Sequence, residues 1–256
     1  MVQEKKIVVE MLFNNWGSSP ERLTEHWISY RLGLFMNYTL KSLMLQTSQD
    51  FSCYALYDPK SEAVVHKILD LFPPLPANIR FVTPVLYKSL LKSELRDTSR
   101  MYRVYLSSDD MYHKDFIKKL HLYKPQRETV ALIPQYGYAY DSVRGRLGAF
   151  FFWLPSYGAT ILNADDYLKG QAPRHTWRDA LKISREFINI NEPVWINHIH
   201  GQNTATTFEN MLGWKDSKVE NALLLEPWTD ANRSRACFGP EVTDPDEIKR
   251  ILSQFY

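Results

Sequence analysis

Two adjacent carboxylates that follow a strand-like segment are the residues of this chain best suited to chemistry. Residues 102–106 (YRVYL) alternate as a β-strand does, and Ser107, Ser108, Asp109 and Asp110 come directly after them. A strand that carries acidic side chains at its carboxyl end places them where open α/β sheets bind ligands. Carboxylate oxygens suit Mg²⁺ or Mn²⁺, which commonly bind one or two carboxylates together with substrate phosphates. The segment therefore indicates a nucleotide diphosphate site, with a simple turn or helix cap as the alternative.

Two histidines on a later segment could complete such a metal site. Residues 194–201 (VWINHIHG) alternate as a strand, so His198 and His200 point to the same face. With Asp109 or Asp110 they form a candidate set of oxygen and nitrogen ligands. The competing interpretation is that one or both histidines only form hydrogen bonds in a loop.

A group of basic residues at helical spacing could neutralise a diphosphate. The group consists of Arg174, His175, Arg178, Lys182 and Arg185. We assign Arg174 and Arg178 to donor binding. A solvated helix surface is the alternative, and it is favoured for the last two members of the group.

Three further carboxylates have candidate roles. Asp165 and Asp166 follow an apolar segment and are candidates for a general base, although Asp165 could instead cap a short helix. Asp58 ends a predicted strand, where a nucleotide base or ribose could donate hydrogen bonds to it. Its alternative role is to form the turn before Pro59.

The first half of the chain alternates predicted strands and helices. Periodicity predicts strands at residues 7–13, 51–57, 79–82 and 102–106, and helices at about 20–45, 64–72, 85–95 and 112–122. This alternation is typical of an α/β fold with a mostly parallel sheet and helices on its faces. Neither a GxGxxG motif nor a P-loop is present, which argues against dehydrogenases and P-loop NTPases.

The second half is rich in aromatic residues and less regular. It predicts a strand at 129–134, a hairpin that turns near 141–142, a helix at 176–187, a strand at 194–201 and a terminal helix at 245–255. No linker divides the chain. We therefore expect one domain over residues 1–256, with a nucleotide-binding half (1–125) and an aromatic-rich half with a C-terminal extension (126–256).

The composition is that of a globular protein. Of the 256 residues, 45% are hydrophobic and 23% charged, and the net charge of +2 argues against a duplex-binding protein. Two cysteines, Cys53 and Cys237, make neither a disulfide framework nor a four-ligand zinc site. No signal peptide or membrane-spanning run is apparent, so we expect a cytoplasmic protein, with peripheral membrane association left open. Aromatic residues make up 14%, and those on loops suit sugar or base stacking.

Three segments of this chain, in this order, resemble the putative rhamnosyltransferase family of nucleotide-sugar glycosyltransferases with a GT-A fold. They are 27–58 (WISYRLGLFMNYTLKSLMLQTSQDFSCYALYD), 106–116 (LSSDDMYHKDF) and 195–203 (WINHIHGQN). Residues 137–170 fit the intervening region more loosely. The resemblance thus covers about residues 25–205. It implies a GT-A-like (Rossmann-like) central mixed, mostly parallel sheet flanked by helices, with an acceptor side in the aromatic-rich half.

The resemblance also implies roles for individual residues. Asp109 matches the metal-binding Asp of a DxD-like motif, Asp110 matches its acidic neighbour, and His200 matches a further metal ligand. Asp58 matches the acid that contacts the nucleotide base. The donor-binding set that we expect is Asp58, Arg31, Ser107, Asp109, Asp110, Arg174 and Arg178. The departure from the pattern is Ser107, where the family usually has an Asp that contacts the ribose; a site with less charge should hold metal less tightly.

We therefore expect a glycosyltransferase that depends on Mn²⁺ or Mg²⁺. It would move a hexose or deoxyhexose, such as rhamnose, from a nucleotide diphosphate to a hydroxyl of a glycan or other acceptor, and a nucleic acid would serve only as a modified acceptor. Two alternatives stay open. One is a nucleotidyltransferase that acts on sugar phosphates, and the other is a non-catalytic module that binds nucleotide sugars or glycans.

Overall fold

The computed structural model describes residues 3–17, 19–152, 156–171, 185–188, 192–203, 207–208 and 237–256. Of the predicted helix at 176–187, residues 176–184 lie outside the described residues. The remainder was predicted wrongly, because residues 185–188 form a strand. Within the described part of the chain, no helix is long and apolar enough to cross a membrane.

The first sheet has seven strands, and four adjacent strands on one side of it are those predicted from the first half. In chain order the strands are β1 (Gln3–Leu12), β2 (Ser52–Leu56), β3 (Ile79–Val82), β4 (Thr98–Tyr105), β6 (Ala131–Pro134), β9 (Ala159–Asn163) and β10 (Arg185–Ile188). The spatial order is β10-β6-β9-β4-β1-β2-β3. All neighbours pair in parallel except β9, which runs antiparallel to both β4 and β6. The predicted fold class, α/β with a mixed and mostly parallel central sheet flanked by helices, is confirmed.

The helices follow the strands as the alternation predicted. They are α1 (Glu25–Leu34), α2 (Leu40–Met44), α3 (Glu62–Leu69), α4 (Pro84–Glu94), α5 (Phe116–Leu122), α6 (Ala164–Leu168) and α7 (Pro245–Leu252), with single 3₁₀ turns at Pro20–Leu23 and Pro59–Ser61. Thr24 and Thr83 cap α1 and α4, since each side chain accepts a hydrogen bond from a backbone N–H of the first turn.

A π-helical turn interrupts the helix that the sequence predicted to run without a break to about residue 45. The turn, Phe35–Thr39, separates α1 from α2, and the N–H of Leu40 bonds to the carbonyl of Phe35. Such one-turn bulges are frequent at functional sites. The hydroxyl of Thr39, the last residue of the turn, donates to the carbonyl of Asp110 (2.9 Å), and that of Ser42, beyond the turn, donates to the carbonyl of Tyr112 (2.9 Å). The composite helix therefore lies along the segment that carries the carboxylates.

A second sheet brings the histidine segment to the carboxylates. It consists of β5 (Met111–Tyr112), β7 (Tyr136–Asp141), β8 (Arg146–Phe151), β11 (Trp195–Ile199) and β12 (Cys237–Val242) in the order β12-β8-β7-β11-β5. The β7–β8 pair is the predicted hairpin. Tyr112 was predicted as the start of a helix, which is wrong: it pairs with Trp195 of β11, and α5 begins only at Phe116.

Trp195 fixes the position of β11 against its neighbours. Its indole Nε1 donates to the carbonyl of Pro134 (2.8 Å), and its ring stacks on Tyr157 with centroids 4.5 Å apart. The ring also lies so close to Gly137 that a Cβ on this glycine would meet it at 2.2 Å. The second sheet thus depends on a residue without a side chain at position 137.

We expect Gly137→Ala to lower the free energy of unfolding by about 1–3 kcal/mol, because the new methyl group must displace the Trp195 ring from a close-packed position. Gly33→Ala is the matched control: nothing lies within 4 Å of its Cβ position in α1. It should be neutral or stabilise by roughly 0.5–1 kcal/mol. Urea unfolding followed by far-ultraviolet circular dichroism measures both. Equal stability of the two variants would contradict this account of Trp195.

Candidate active site

A cavity of about 480 Å³ opens at the carboxyl ends of β1 and β4, within the size range of small-molecule sites. Helix α1 and the segment after β11 complete its walls. The lining consists of Leu12, Phe13, Asn14, Trp16, Gly17, Ser19, Arg22, Trp27, Tyr30, Arg31, Tyr105, Ser107, Ser108, Asp109, Asp110, Asn197, His200, Gln202 and Asn203. Polar groups from four separate parts of the chain therefore converge at the edge of the sheet where the sequence predicted a ligand site.

Asp109 faces α1 and forms a two-pronged ion pair with Arg31. The terminal nitrogens of Arg31 lie 2.9 Å from Oδ2 and 3.1 Å from Oδ1 of Asp109, and one of them also donates to the hydroxyl of Ser108 (2.6 Å). The two charged side chains are only 18% and 11% exposed. Charge and geometry both contribute, since a guanidinium matches the two oxygens of a carboxylate.

His200 completes this cluster from the end of β11. Its Nε2 lies 3.0 Å from Oδ2 of Asp109 and 3.4 Å from a terminal nitrogen of Arg31. The hydroxyl of Tyr30 contacts Nδ1 at 2.8 Å and donates to the carbonyl of His200 at 2.9 Å. Tyr30 therefore fixes the ring so that Nε2 is directed at Asp109, the kind of support that orients ligand histidines in metal sites.

Asp110 points the opposite way, into the contact between the two sheets. Its Oδ1 accepts from the backbone N–H of His198 (2.9 Å), and its Oδ2 accepts from the hydroxyl of Tyr157 (2.9 Å). Asn197 donates to the same hydroxyl (2.9 Å) and lies 3.4 Å from Oδ1 of the carboxylate. Asp110 is 4% exposed. Its bonds hold β11 and residue 157 in place and leave it turned away from Arg31.

The different surroundings move the pKa values of the two carboxyl groups in opposite directions. Burial alone would raise the pKa of Asp109, but the hydrogen bond with His200 and the charge of Arg31 outweigh it and hold this pKa well below its ordinary value. Burial, and then the charge of Asp109, raise the pKa of Asp110 well above its ordinary value against the hydrogen bonds from His198 and Tyr157. Asp109 is therefore the ionised member of the pair.

His198 is a packing residue, as the alternative interpretation of the sequence allowed. It is fully buried, its Nδ1 lies 3.0 Å from the carbonyl of Asp109, and its Nε2 lies 2.8 Å from the hydroxyl of Ser142. Because a carbonyl only accepts, Nδ1 carries the proton and Nε2 accepts from the serine. Burial, and then the neighbouring His200, lower the pKa of His198 to about 4, which keeps the ring neutral.

Asp58 belongs to a network that shapes the opposite wall of the cavity. Its carboxylate accepts from Arg22 (3.0 Å) and from the backbone N–H of Lys60 (3.0 Å), so it also forms the turn that the sequence allowed. Arg22 donates further to the carbonyls of Asn14 (2.9 Å) and Gly17 (3.0 Å). The backbone N–H of Lys60 contributes most to lowering the pKa of Asp58, and Arg22 adds to it. This network holds the loop after β1 over the cavity.

The two candidates for a general base do not reach the cavity. Asp165 and Asp166 are exposed residues of α6, whose N-cap is Asn163 rather than Asp165. Helix α6 follows β9, and β9 runs antiparallel, with Asn163 opposite Arg100 near the start of β4. Both carboxylates therefore lie at the other end of the sheet from Asp109. The sequence could not show this, because a strand's direction depends on its neighbours.

Of the other predicted residues, the structure brings Asp109, His200, Arg31 and Ser107 to the cavity, with Asp110 at its inner wall. Arg174 and Arg178 lie outside the described residues, as do His175 and Lys182. Six further residues belong to the site or support it and were not predicted from the sequence: Arg22, Trp27, Tyr30, Asn14, Tyr157 and Asn197. Two features of the sequence could have identified some of them. Arg22 lies on the short helical turn just before the helix that carries Arg31, and residues 14–17 form the loop that follows β1.

The fit of a divalent ion can be examined from the donor atoms. Among the described residues, no group of three His, Cys, Asp or Glu side chains is arranged to hold a metal ion. Asp109 and His200 do converge, and a carboxylate with an imidazole suits Mn²⁺ or Mg²⁺ when phosphate oxygens supply the remaining ligands. Of the three predicted ligands, only Asp109 and His200 point to a common position, because the carboxylate of Asp110 binds His198 and Tyr157 instead. The metal itself stays a prediction.

Comparisons with known proteins agree with the resemblance stated above. Residues 18–140 match the model of a family described as "Putative rhamnosyl transferase", which confirms that resemblance over this part of the chain. No curated protein matches the chain.

Two solved structures are similar to parts of the chain. One is the crystal structure of S. aureus TarS 1–349 in complex with UDP, with 11% identity, a TM-score of 0.42 and coverage of 76% of this chain. This chain spans 60% of that TarS chain. The other is a 4-diphosphocytidyl-2C-methyl-D-erythritolsynthase from Anaerococcus prevotii DSM 20548, with 13% identity, a TM-score of 0.33 and coverage of 86% of this chain and 97% of that one.

We expect Tyr157→Phe to lower the free energy of unfolding by about 1–3 kcal/mol, because buried Asp110 loses the phenol that donates to its Oδ2 and the Asn197 amide loses the shorter of its two contacts. Tyr136→Phe is the matched control, since its hydroxyl has no hydrogen-bond partner among the described residues, and it should change stability by less than about 0.5 kcal/mol. Chemical denaturation measures both. Equal losses in the two variants would show that the Asp110 contacts do not hold the sheets.

Proposed function

We propose that this chain, whose residues 18–140 match the putative rhamnosyl transferase family, is a glycosyltransferase that uses a nucleotide diphosphate sugar and an acceptor hydroxyl. A deoxyhexose such as rhamnose is the sugar that the family suggests. The observation that carries the proposal is the buried cluster of Asp109, His200 and Arg31 in a cavity at the carboxyl ends of β1 and β4. This is the edge of an α/β sheet at which nucleotides bind.

The charges of the cavity suit the leaving group of such a reaction. When the bond between sugar and nucleotide breaks, negative charge builds on the diphosphate, and fixed positive groups accelerate the step by stabilising that charge. Arg22 and Arg31 both line the cavity, and each is held by hydrogen bonds to its surroundings. Arg174 and Arg178, which the sequence predicts for the same part, lie outside the described residues, and their role stays a prediction.

A divalent ion, Mn²⁺ or Mg²⁺, is the cofactor that we propose for this site, with Asp109 and His200 as the residues that would hold it. When bound, it would act as a Lewis acid on the diphosphate. Tyr30 would contribute by fixing the orientation of His200, and Ser108 by fixing that of Arg31.

The nucleoside is proposed to bind on the side of the cavity formed by the loop after β1. Asp58 lies beside this wall and accepts a hydrogen bond from Arg22. Ser107 lines the cavity and would offer the ribose a hydroxyl, which would contribute less to binding than an aspartate at this position. Trp16 is 61% exposed although it lines the cavity, so its ring is open to a base or sugar. The acceptor is proposed to bind on the side of the second sheet, four of whose five strands belong to the half from residue 126 onward.

We expect the purified protein to release nucleoside diphosphate from a nucleotide sugar in the presence of Mn²⁺ and a panel of glycan acceptors. Asp109→Asn should lower the rate at least ~100-fold, because the proposed divalent ion, which would stabilise the charge on the diphosphate, loses its charged ligand. Asp70→Asn, a change at an exposed carboxylate on the surface, should leave the rate unchanged.

Three results of that assay would contradict the proposal. Formation of nucleoside triphosphate from nucleotide sugar and pyrophosphate would indicate a nucleotidyltransferase. Binding of nucleotide sugar without turnover for any acceptor would indicate a binding module. Full activity of Asp109→Asn would remove the cluster from the reaction.

We also expect Trp16→Ala to weaken the binding of a nucleoside diphosphate, measured by isothermal titration calorimetry. Aromatic stacking on a base contributes about 1–3 kcal/mol, so the dissociation constant should rise roughly 5- to 100-fold, and Trp16→Phe should keep most of the affinity. Leu71→Ala changes a hydrophobic residue that is 78% exposed and does not line the cavity, and it serves as the control. An unchanged affinity of Trp16→Ala would place the base elsewhere.

A further inference from the structure

The guanidinium of Arg31 contacts the two side chains that would hold a divalent ion, Asp109 and His200. It contacts both oxygens of Asp109 at 2.9 and 3.1 Å, and the nearer terminal nitrogen is 3.4 Å from Nε2 of His200. Oδ2 of Asp109 and Nε2 of His200 are themselves 3.0 Å apart. The candidate metal position is therefore already served by a cation of the chain.

Charge balance makes this pair resist a divalent ion on its own. Asp109 and Arg31 are largely buried and neutralise each other. A second cation beside the same single carboxylate would be repelled by Arg31 in surroundings where charges interact more strongly than in water. The ion can enter only if Arg31 moves away or if further negative charge arrives with it.

Arg31 has an alternative partner available as soon as a diphosphate occupies the cavity. Its side chain lines the cavity, with the guanidinium 5.7 Å from the centre of the Trp27 ring. Its Nε is buried and has no hydrogen-bond partner among the described residues, so the pairing with Asp109 leaves one donor unused. Guanidinium groups bind phosphate in the same two-pronged way as carboxylate. A diphosphate can thus take over Arg31 and free Asp109.

We propose that Arg31 is a resident counter-ion of Asp109 that couples the divalent ion to the diphosphate, so that each binds tightly only when the other is present. The proposal rests on the proposed function for the identity of the anion. Coupling of this kind is reciprocal: the factor by which the diphosphate tightens metal binding equals the factor by which the metal tightens diphosphate binding. Removing Arg31 should therefore both tighten metal binding alone and reduce the coupling.

The experiment measures binding of Mn²⁺ by the loss of the free-ion signal in electron paramagnetic resonance, with and without UDP as the probe diphosphate. For the wild-type protein we expect weak binding of Mn²⁺ alone and binding at least ~10-fold tighter with UDP, within the range usual for coupled sites. For Arg31→Gln we expect Mn²⁺ alone to bind at least ~10-fold tighter than to the wild type, with a smaller further gain from UDP than the wild type shows, because only the direct contact of phosphate with the ion remains. Arg127→Gln, at a side chain that is 93% exposed, should behave as the wild type.

A second variant guards against loss of folding in Arg31→Gln, which circular dichroism would reveal. Arg31→Lys keeps the charge but cannot hold both oxygens, and it should give an intermediate affinity for Mn²⁺ alone. The proposal is overturned if neither variant that folds binds Mn²⁺ more tightly than the wild type, or if the wild type binds Mn²⁺ equally well with and without UDP while UDP itself binds. If UDP binds to no variant, the proposed function fails, and the comparison with Mn²⁺ alone still decides whether Arg31 excludes the ion.

Discussion

Two consecutive carboxylates that point in opposite directions are the constraint on which the rest of the structure depends. Asp109 turns toward α1 and meets a guanidinium, whereas Asp110 turns toward the second sheet and meets a backbone N–H and a phenol. Each carboxylate thereby connects the end of β4 to a different part of the molecule. The cavity exists because these two attachments hold α1 and β11 on either side of one turn.

The assignment of one carboxylate to binding and the other to structure follows from burial and partners. A buried carboxylate with several donors around it is expensive to disturb, and it specifies one arrangement of the chains that contact it. Asp110 therefore limits how far the histidine end of β11 can move, and His200 keeps its distance from Asp109. The geometry that would serve catalysis is thus maintained by a residue that contacts the second sheet and residue 157.

The sequence predicted the features that depend on local periodicity and on strand ends. Residues 79–82 form a strand with the predicted bounds, Asp109 and His200 lie together, and the α/β class is confirmed. The missed features depend on contacts between distant segments. Strand β9 lies between β4 and β6 and runs antiparallel to both. This direction places Asp165 far from the cavity. The ion pair of Arg31 with Asp109 joins residues 78 positions apart, and no local pattern announces it.

The π turn at Phe35–Thr39 restricts how the length of this helix can change during evolution. One additional residue in a turn rotates everything beyond it by about 100° relative to an uninterrupted α-helix, since each residue of an α-helix accounts for that angle. Tyr30 and Arg31 before the turn face the cavity, while Thr39 at its end and Ser42 after it bind the chain around Asp110 and Tyr112. A deletion within the turn would therefore leave the local sequence helical but point one set of residues away from its partners. Substitutions can change either half of the helix separately, whereas an insertion or deletion in the turn would move one half away from its partners.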